Sequence, residues 1–245
     1  MEYHLFNFYI KISKYRYYCS LCNHHIRHFD YSGTESAVWD LYDTIGGNHR
    51  ADRCPYCNSI GRDRMVHFFL KKEKNWKDKK VLHVAPEKQL SKWIQSKGCE
   101  YLSIDKKEDC YSNRYDSCVQ KADITQLEFS DNSFDIIICN HVLEHVENDN
   151  LAMIELFRVL KENGLAIIQV PIALNLKKTI EGNSQLTEEQ RFCMFGHPDH
   201  RRLYGKDFMT RLENNGFEVK LIFVKTNHLK YGIDKREPLI VCYKH

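Results

Sequence analysis

From Lys80 onward the chain repeats one unit, a short apolar run, an amphipathic stretch closing on a turn residue, and another apolar run. "KVLHVAP" leads into "EKQLSKWIQSKG", which ends at Gly98, and then into "EYLSID", which closes on Asp105. Next come "KADIT", "FDIIICN", a helix through "NLAMIELFRVLKENG" closed by Gly164, and the strand "LAIIQVP". After a long irregular stretch, "YGKDFMTRLENNG" reads as a helix ended by Gly216, with "FEVKLIFV" and "EPLIVCYK" as strands. Glycine accepts the left-handed backbone that terminates a helix, so a glycine just before an apolar run marks a helix handing over to a strand. Such alternation leaves one economical solution, an α/β fold with a mostly parallel sheet covered by helices on both faces.

A chain of 245 residues accommodates one such core and a small module. The expected organisation is a module over 1–60, a docking helix and linker over 61–79, and the α/β domain over 80–245. In "SIGRDRMVHFFLKKEK" the residues Ile60, Met65, Phe68 and Phe69 share a side at helical spacing, with Arg62, Asp63 and Arg64 elsewhere. The charge run "KKEKNWKDKK" reads as a solvated linker.

Ten cysteines need a reason. Cys19 and Cys22 in "YCSLCNHH" and Cys54 and Cys57 in "RCPYCNSIGR" form two C-x-x-C knuckles. Each knuckle offers two thiolates from one tight turn, and two knuckles complete a tetrahedron, so a zinc ribbon is expected. A rubredoxin-like iron site uses the same four sulfurs. Cys99, Cys110, Cys118, Cys139, Cys193 and Cys242 lack ligand spacing, and Cys139, inside "FDIIIC", reads as a small buried hydrophobe. His24, His25 and His28 read as surface residues.

Lysine and arginine number 36 against 33 acids, a formal charge of +3 spread along the chain, which counts against a dedicated nucleic-acid binder. No apolar run approaches the roughly 18–20 residues that span a bilayer. The start, "MEYHLFNFYIKISKYRYYC", lacks a basic n-region and a small-residue cleavage site, so a cytoplasmic location is expected.

An acid at the end of the second strand of an open α/β sheet is placed to accept from both hydroxyls of a ribose, and Asp105 stands there. Asp123, at the end of the third strand, is placed so that its carboxylate or the next amide meets an adenine edge. His141, Glu144 and His145 in "NHVLEHV" follow the fourth strand at spacings that share a helical face. "FGHPDHRRLYG" supplies His197, Asp199, His200, Arg201, Arg202 and Tyr204, a composition suited to an anionic or sugar-like acceptor. "LNLKKTIEGNSQLTEEQRF" before it is long and polar enough for a lid.

"FSDNSFDIIICNHVLEHVENDNLAMIELFRVLKENGLAIIQVP", with "YLSID" and "KADIT" upstream, resembles the class I S-adenosylmethionine-dependent methyltransferases from the fourth to the fifth strand. The resemblance covers Lys80 to the carboxyl end and implies a Rossmann-like seven-stranded sheet with an antiparallel final hairpin. It implies S-adenosylmethionine as cofactor, with Asp105 on the ribose, Asp123 and Ile124 near the adenine, and Asn140 under the methionine portion. Where the family has an acid and a glycine-rich turn, this chain has His83, Ala85, Pro86 and Glu87. Ala85 leaves room, Pro86 suits a first helical turn, and Glu87 sits where an amino group could be met. "Glu144–His145" with a later histidine, His197 or His200, also resembles the metal pattern of small-RNA 2′-O-methyltransferases and ubiquinone-pathway O-methyltransferases, implying a second divalent metal, with His141 in place of the first carboxylate.

Methyl transfer needs an aligned nucleophile and sometimes a base, for which His141, His200, His197 and Tyr204 are the candidates. The expected function is O-methylation of a small molecule or glycan precursor, phosphorylated or not. One rival is an rRNA or tRNA methyltransferase, against which the dispersed charge and the missing Asn-Pro-Pro-Tyr type motif count. The other is a catalytically silent protein that binds S-adenosylmethionine or serves as a scaffold.

Overall fold

Strands β1 (Tyr17–Cys19), β2 (His24–Ile26) and β3 (Asp30–Ser32), helix α1 (Ala37–Leu41), and strands β4 (Thr44–Ile45) and β5 (Arg50–Arg53) come first, followed by α2 (Gly61–Leu70). The next run is β6 (Lys80–Val84), α3 (Lys88–Gln95), β7 (Glu100–Asp105), β8 (Gln120–Lys121) and β9 (Phe134–Asn140). Then come α4 (Asp149–Val159), β10 (Leu160–Gln169), β11 (Ile172–Ala173), β12 (Ile180–Glu181), α5 (Glu188–Phe195) and β13 (Arg202–Leu203). Helix α6 (Phe208–Asn214) and strands β14 (Glu218–Ile222) and β15 (Leu239–Tyr243) end the chain. This computed structural model describes residues 16–106, 119–224 and 229–245; Cys110 and Cys118 lie outside them.

The main sheet has seven strands in the order β14-β15-β10-β9-β6-β7-β8. β8, β7, β6, β9 and β10 run parallel, while β15 is antiparallel to both β10 and β14, the expected final hairpin. The chain winds outward from β6 to β8, then crosses back to β9, so the strand order reverses between β6 and β9. In sheets of this kind the crevice at the carboxyl ends beside that reversal takes the ligand.

Alternation along the strands builds two cores. Leu82, Val84, Ile137, Cys139 and Ile168 face one side, against Ala152, Met153 and Leu156 of α4 and Phe208 and Leu212 of α6. Val81, Ile136, Ile138 and Ile167 face the other, against Leu90 and Ile94 of α3 and Met65, Val66 and Leu70 of α2. Each such side chain removed from water contributes about 1.5–3 kcal/mol. Helix α2 therefore covers the sheet itself. Its charged residues are buried too, unlike the polar face expected for them. Asp63 accepts from the Ile60 amide at 2.9 Å, and Arg64 donates to Ser59 O, Asp52 O and Tyr231 O.

The amino-terminal strands are stitched to the strand ends of the sheet. β4 pairs with β11 through Ile45 and Ile172, Trp39 Nε1 donates to Phe195 O at 2.6 Å, and Arg50 pairs with Glu237 at 2.7 Å. Gly196 makes this approach possible. Its φ of 82° caps α5 in the left-handed region, and a Cβ there would lie 1.9 Å from Trp39 Nε1.

Three local expectations change. Helix α4 stops at Val159, and Leu160 already begins β10, so Gly164 lies within the strand and caps nothing. The stretch after β10 is not irregular: β12 pairs with β13, and Thr187 opens α5 in a capping box with Gln190. "NHVLEHV" yields one 3-10 turn, Leu143–His145, preceded by His141 at a φ of 54°. No helix among the described residues is long and apolar enough to cross a membrane.

Candidate active site

The turn after β6 has no glycine, yet it adopts a glycine conformation: Ala85 has a φ of 47° while its amide donates to Ile104 O at 2.9 Å. A left-handed non-glycine residue costs roughly 1–2 kcal/mol, least for a side chain as small as alanine. Pro86 does not sit in the first helical turn as expected; Glu87 is the N-cap of α3, and Pro86 precedes it.

Glu87 is buried at the centre of a network that reaches three strands. His83 Nε2 lies 2.9 Å from Glu87 Oε2, His83 Nδ1 lies 3.0 Å from Tyr101 Oη, and Asn140 Nδ2 donates to Glu87 Oε1 at 3.2 Å. A carboxylate accepts only, so His83 donates from Nε2 and takes the Tyr101 hydroxyl proton at Nδ1. β7, β6 and β9 are thereby tied in register. Asn140 Oδ1 is buried with no hydrogen-bond partner among the described residues, one acceptor left over in this chain.

Asp105 ends β7, half-buried. The Asp123 carboxylate accepts from the Thr125 amide and hydroxyl and pairs with Lys106 at 2.9 Å. Partial burial raises its pKa, but the Lys106 and Thr125 bonds prevail and bring it to about 2. That carboxylate is already engaged in shaping its turn. Ile124 is buried in the core beside Leu82 and Ile104.

Beyond β9 and β10 lies a cavity of about 200 Å³. His141, Glu144, His145, Pro171, His197 and His200 line it from the sheet side, and Trp39, Gly46, Gly47, Asn48, Arg50 and Arg62 from the amino-terminal side. Glu144 is 1% exposed, and neither carboxylate oxygen accepts a well-aligned hydrogen bond among the described residues, although His141 Nδ1 stands 3.1 Å from Oε1. Burial raises the Glu144 pKa to about 8, against the pull of Arg62 and Arg202. His145 keeps an exposed edge, yet desolvation by the surrounding chain lowers it to about 4, helped by His197; burial lowers His200 well below the usual imidazole range, helped by His145 and His197. The cavity thus holds uncharged imidazoles beside a poorly satisfied carboxyl group.

Ligand atoms of Glu144, His145 and His200 all lie within 4.8 Å of one another. The sequence offered His197 or His200 as the third member; the structure brings His200 into the group, packed edge-on to His145 at 4.8 Å between ring centroids, against 5.9 Å for His197. Donors across a metal with bonds of about 2.1 Å stand at most about 4.2 Å apart, so a small side-chain rotation would close the set.

Tyr204 does not belong to this cavity. It is 1% exposed in the core, and its hydroxyl donates to Asp149 Oδ2 at 2.7 Å, which removes it from the catalytic candidates. Arg202 is buried likewise, donating to Leu143 O, Val146 O and Glu147 O, so the anticipated arginine pair cannot both meet an acceptor.

The four knuckle cysteines come together. Cys19 Sγ lies 3.7 Å from Cys57 Sγ and Cys22 Sγ 3.7 Å from Cys54 Sγ, with all four sulfurs within 4.8 Å. Bonds of about 2.3 Å in a tetrahedron give edges of about 3.8 Å, so the thiols fit one zinc ion.

A family model described as a methyltransferase domain matches residues 85–168, from the Ala85 turn through the buried end of β10. That segment is similar to a methyltransferase domain. An uncharacterised protein of Methanocaldococcus jannaschii is 34% identical over 125 residues, covering 50% of this chain and 47% of that protein, so the match spans about half of this curated relative. Among solved structures, an S-adenosylmethionine-dependent methyltransferase of Archaeoglobus fulgidus has a TM-score of 0.47 at 16% identity, over 74% of this chain and 94% of its own. One from Mesorhizobium loti has a TM-score of 0.48 at 12% identity, over 69% and 92%.

In the main sheet the polar strand ends are the residues that sequence reasoning singled out, whereas the far wall of the cavity went unnoticed. Trp39, Gly46, Gly47, Asn48, Arg50 and Arg62 belong to no motif. The "GG" dipeptide was the one local hint, since a Cβ on Gly47 would lie 2.7 Å from the Trp39 ring.

Proposed function

We propose that the protein transfers the methyl group of S-adenosylmethionine to an oxygen of a small acceptor bound in the cavity beyond β9 and β10. The observation that carries this reading is the position of the cavity. It begins at His141, the residue next to Asn140, so a sulfonium methyl delivered at the ends of β6 and β9 would face it. Asp105 would hold the ribose, Ile124 would lie near the adenine, and Asn140 Oδ1 with Glu87 would meet the amino group of the methionine end. Ala85 would keep the turn close to the cofactor backbone.

In-line transfer to an oxygen requires alignment and removal of one proton. His141 would take that proton, oriented by Glu144 at 3.1 Å. The bond between the methyl carbon and sulfur breaks as the bond to oxygen forms, and the displaced electron pair leaves on the neutral thioether. A second reading, favoured by the Glu144, His145 and His200 cluster, places a divalent cation in the cavity to bind the acceptor oxygen. The four cysteines would hold a structural zinc ion, and their reduced state suits a cytoplasmic location. The division into 1–60, 61–79 and 80–245 would then separate chain segments more than working parts.

Calorimetry with S-adenosylmethionine and its demethylated product tests the proposal on zinc-loaded protein. Binding of both is expected, with Asp105→Ala weakening it about ten- to a hundredfold through lost hydrogen bonds to the ribose. Absence of binding by folded protein would favour the silent scaffold instead.

A further inference from the structure

Arg62, from the first turn of α2, lines the same cavity as Glu144 and the histidines. It is 8% exposed, and its only hydrogen bond among the described residues is a long one, Nη1 to Gly46 O at 3.5 Å. Its Nε is buried with no partner, and no carboxylate of the described residues lies within ion-pair distance of it. The neighbouring arginine is different: Arg50 is held by Asp52 and Glu237. A guanidinium taken out of water without a counter-charge is costly unless a ligand supplies one. Its planar fork matches carboxylate and phosphoryl oxygens.

We infer that Arg62 binds an anionic group of the acceptor, a carboxylate or a phosphoryl group, and so fixes which end of that molecule faces the methyl donor. This rests on the cavity being the acceptor site. It also makes the segment ahead of the main sheet part of substrate recognition. The acceptor class that follows is a small anionic molecule, held by Arg62 at one wall and presenting its oxygen to His141 at the other. Arg201 and Arg202, which composition pointed to, take no part.

The probes are inorganic phosphate and acetate, titrated into zinc-loaded full-length protein while the melting temperature is followed. A saturable rise is expected with one of them, and the one that binds distinguishes a phosphoryl from a carboxylate acceptor. Arg62→Gln should weaken that response about thirtyfold, as for loss of one partner of a buried charge pair. Arg62→Lys should retain part of it, and Arg27→Gln, on an exposed residue away from the cavity, should retain all of it. No response in the wild type, or an unchanged midpoint in Arg62→Gln, would overturn the assignment; should Arg62→Gln fail to fold, an unchanged midpoint in Arg62→Lys does the same. S-adenosylmethionine calorimetry on the same proteins keeps the two readings apart. A wild type that binds the anion through Arg62 but not S-adenosylmethionine sinks methyl transfer and leaves this site standing.

Discussion

Beside the end of β6, His83 and Glu87 are tied by hydrogen bonds to Tyr101 of β7 and Asn140 of β9, whereas Glu144 and Arg62 are buried without comparable partners. His83, Glu87 and Asn140 are buried like Glu144 and Arg62, so the difference is not exposure. A satisfied buried network holds geometry, and an unsatisfied one destabilises the empty fold until something enters. The side that holds the His83–Glu87 network is therefore pre-set by the sheet. The cavity beyond it is assembled from separate parts of the chain.

The largest test of that contrast is the metal. A structural zinc ion contributes about 10–16 kcal/mol of apparent free energy in isolated finger peptides, so Cys54→Ser or exhaustive chelation should unfold the cysteine module and remove one wall of the cavity. Methyl transfer should be abolished while affinity for S-adenosylmethionine stays within a few-fold, as read by metal analysis, calorimetry and turnover. A parallel collapse of cofactor affinity would show the two sides to be one cooperative unit.

Tyr204→Phe should have an intermediate effect, confined to stability. It removes one hydrogen bond to buried Asp149, which Arg211 still holds at 2.7 Å, so a loss of about 1–3 kcal/mol in denaturant unfolding is expected with turnover nearly unchanged. A hundredfold fall in turnover at unchanged stability would return Tyr204 to the chemistry. The smallest effect belongs to the cofactor turn. Ala85→Gly relieves a φ of 47° and should stabilise by about 0.5–1 kcal/mol after the added chain entropy, with cofactor affinity unaltered. Destabilisation would mean that the Ala85 methyl makes contacts worth more than the strain.

Legibility followed distance along the chain. The parallel strands, the hairpin order and the cysteine quartet were readable because period and spacing are local quantities. His83 and Glu87 were readable as a departure from a family turn, but their bond to each other was not, since it depends on where α3 begins. The choice between His197 and His200 was not readable, because a compact loop, with His200 N bonded to His197 O, decides which ring turns toward His145. Tyr204 and Arg202 were misread for a common reason: a polar residue in a polar loop looks exposed until Asp149 and the Leu143 turn are folded around it.

By itself the sequence determined the sheet, the reversal of strand order within it and the grouping of the four cysteines, because apolar periodicity and short-range spacing are enough to specify them. Only the tertiary structure decided that β4 pairs with β11, that α2 covers the sheet, and that Arg62 faces Glu144 and the histidines across one cavity. Those contacts join residues far apart in the chain, and no local pattern records them. Their free energy comes from burial and hydrogen bonds that exist only once both segments have docked.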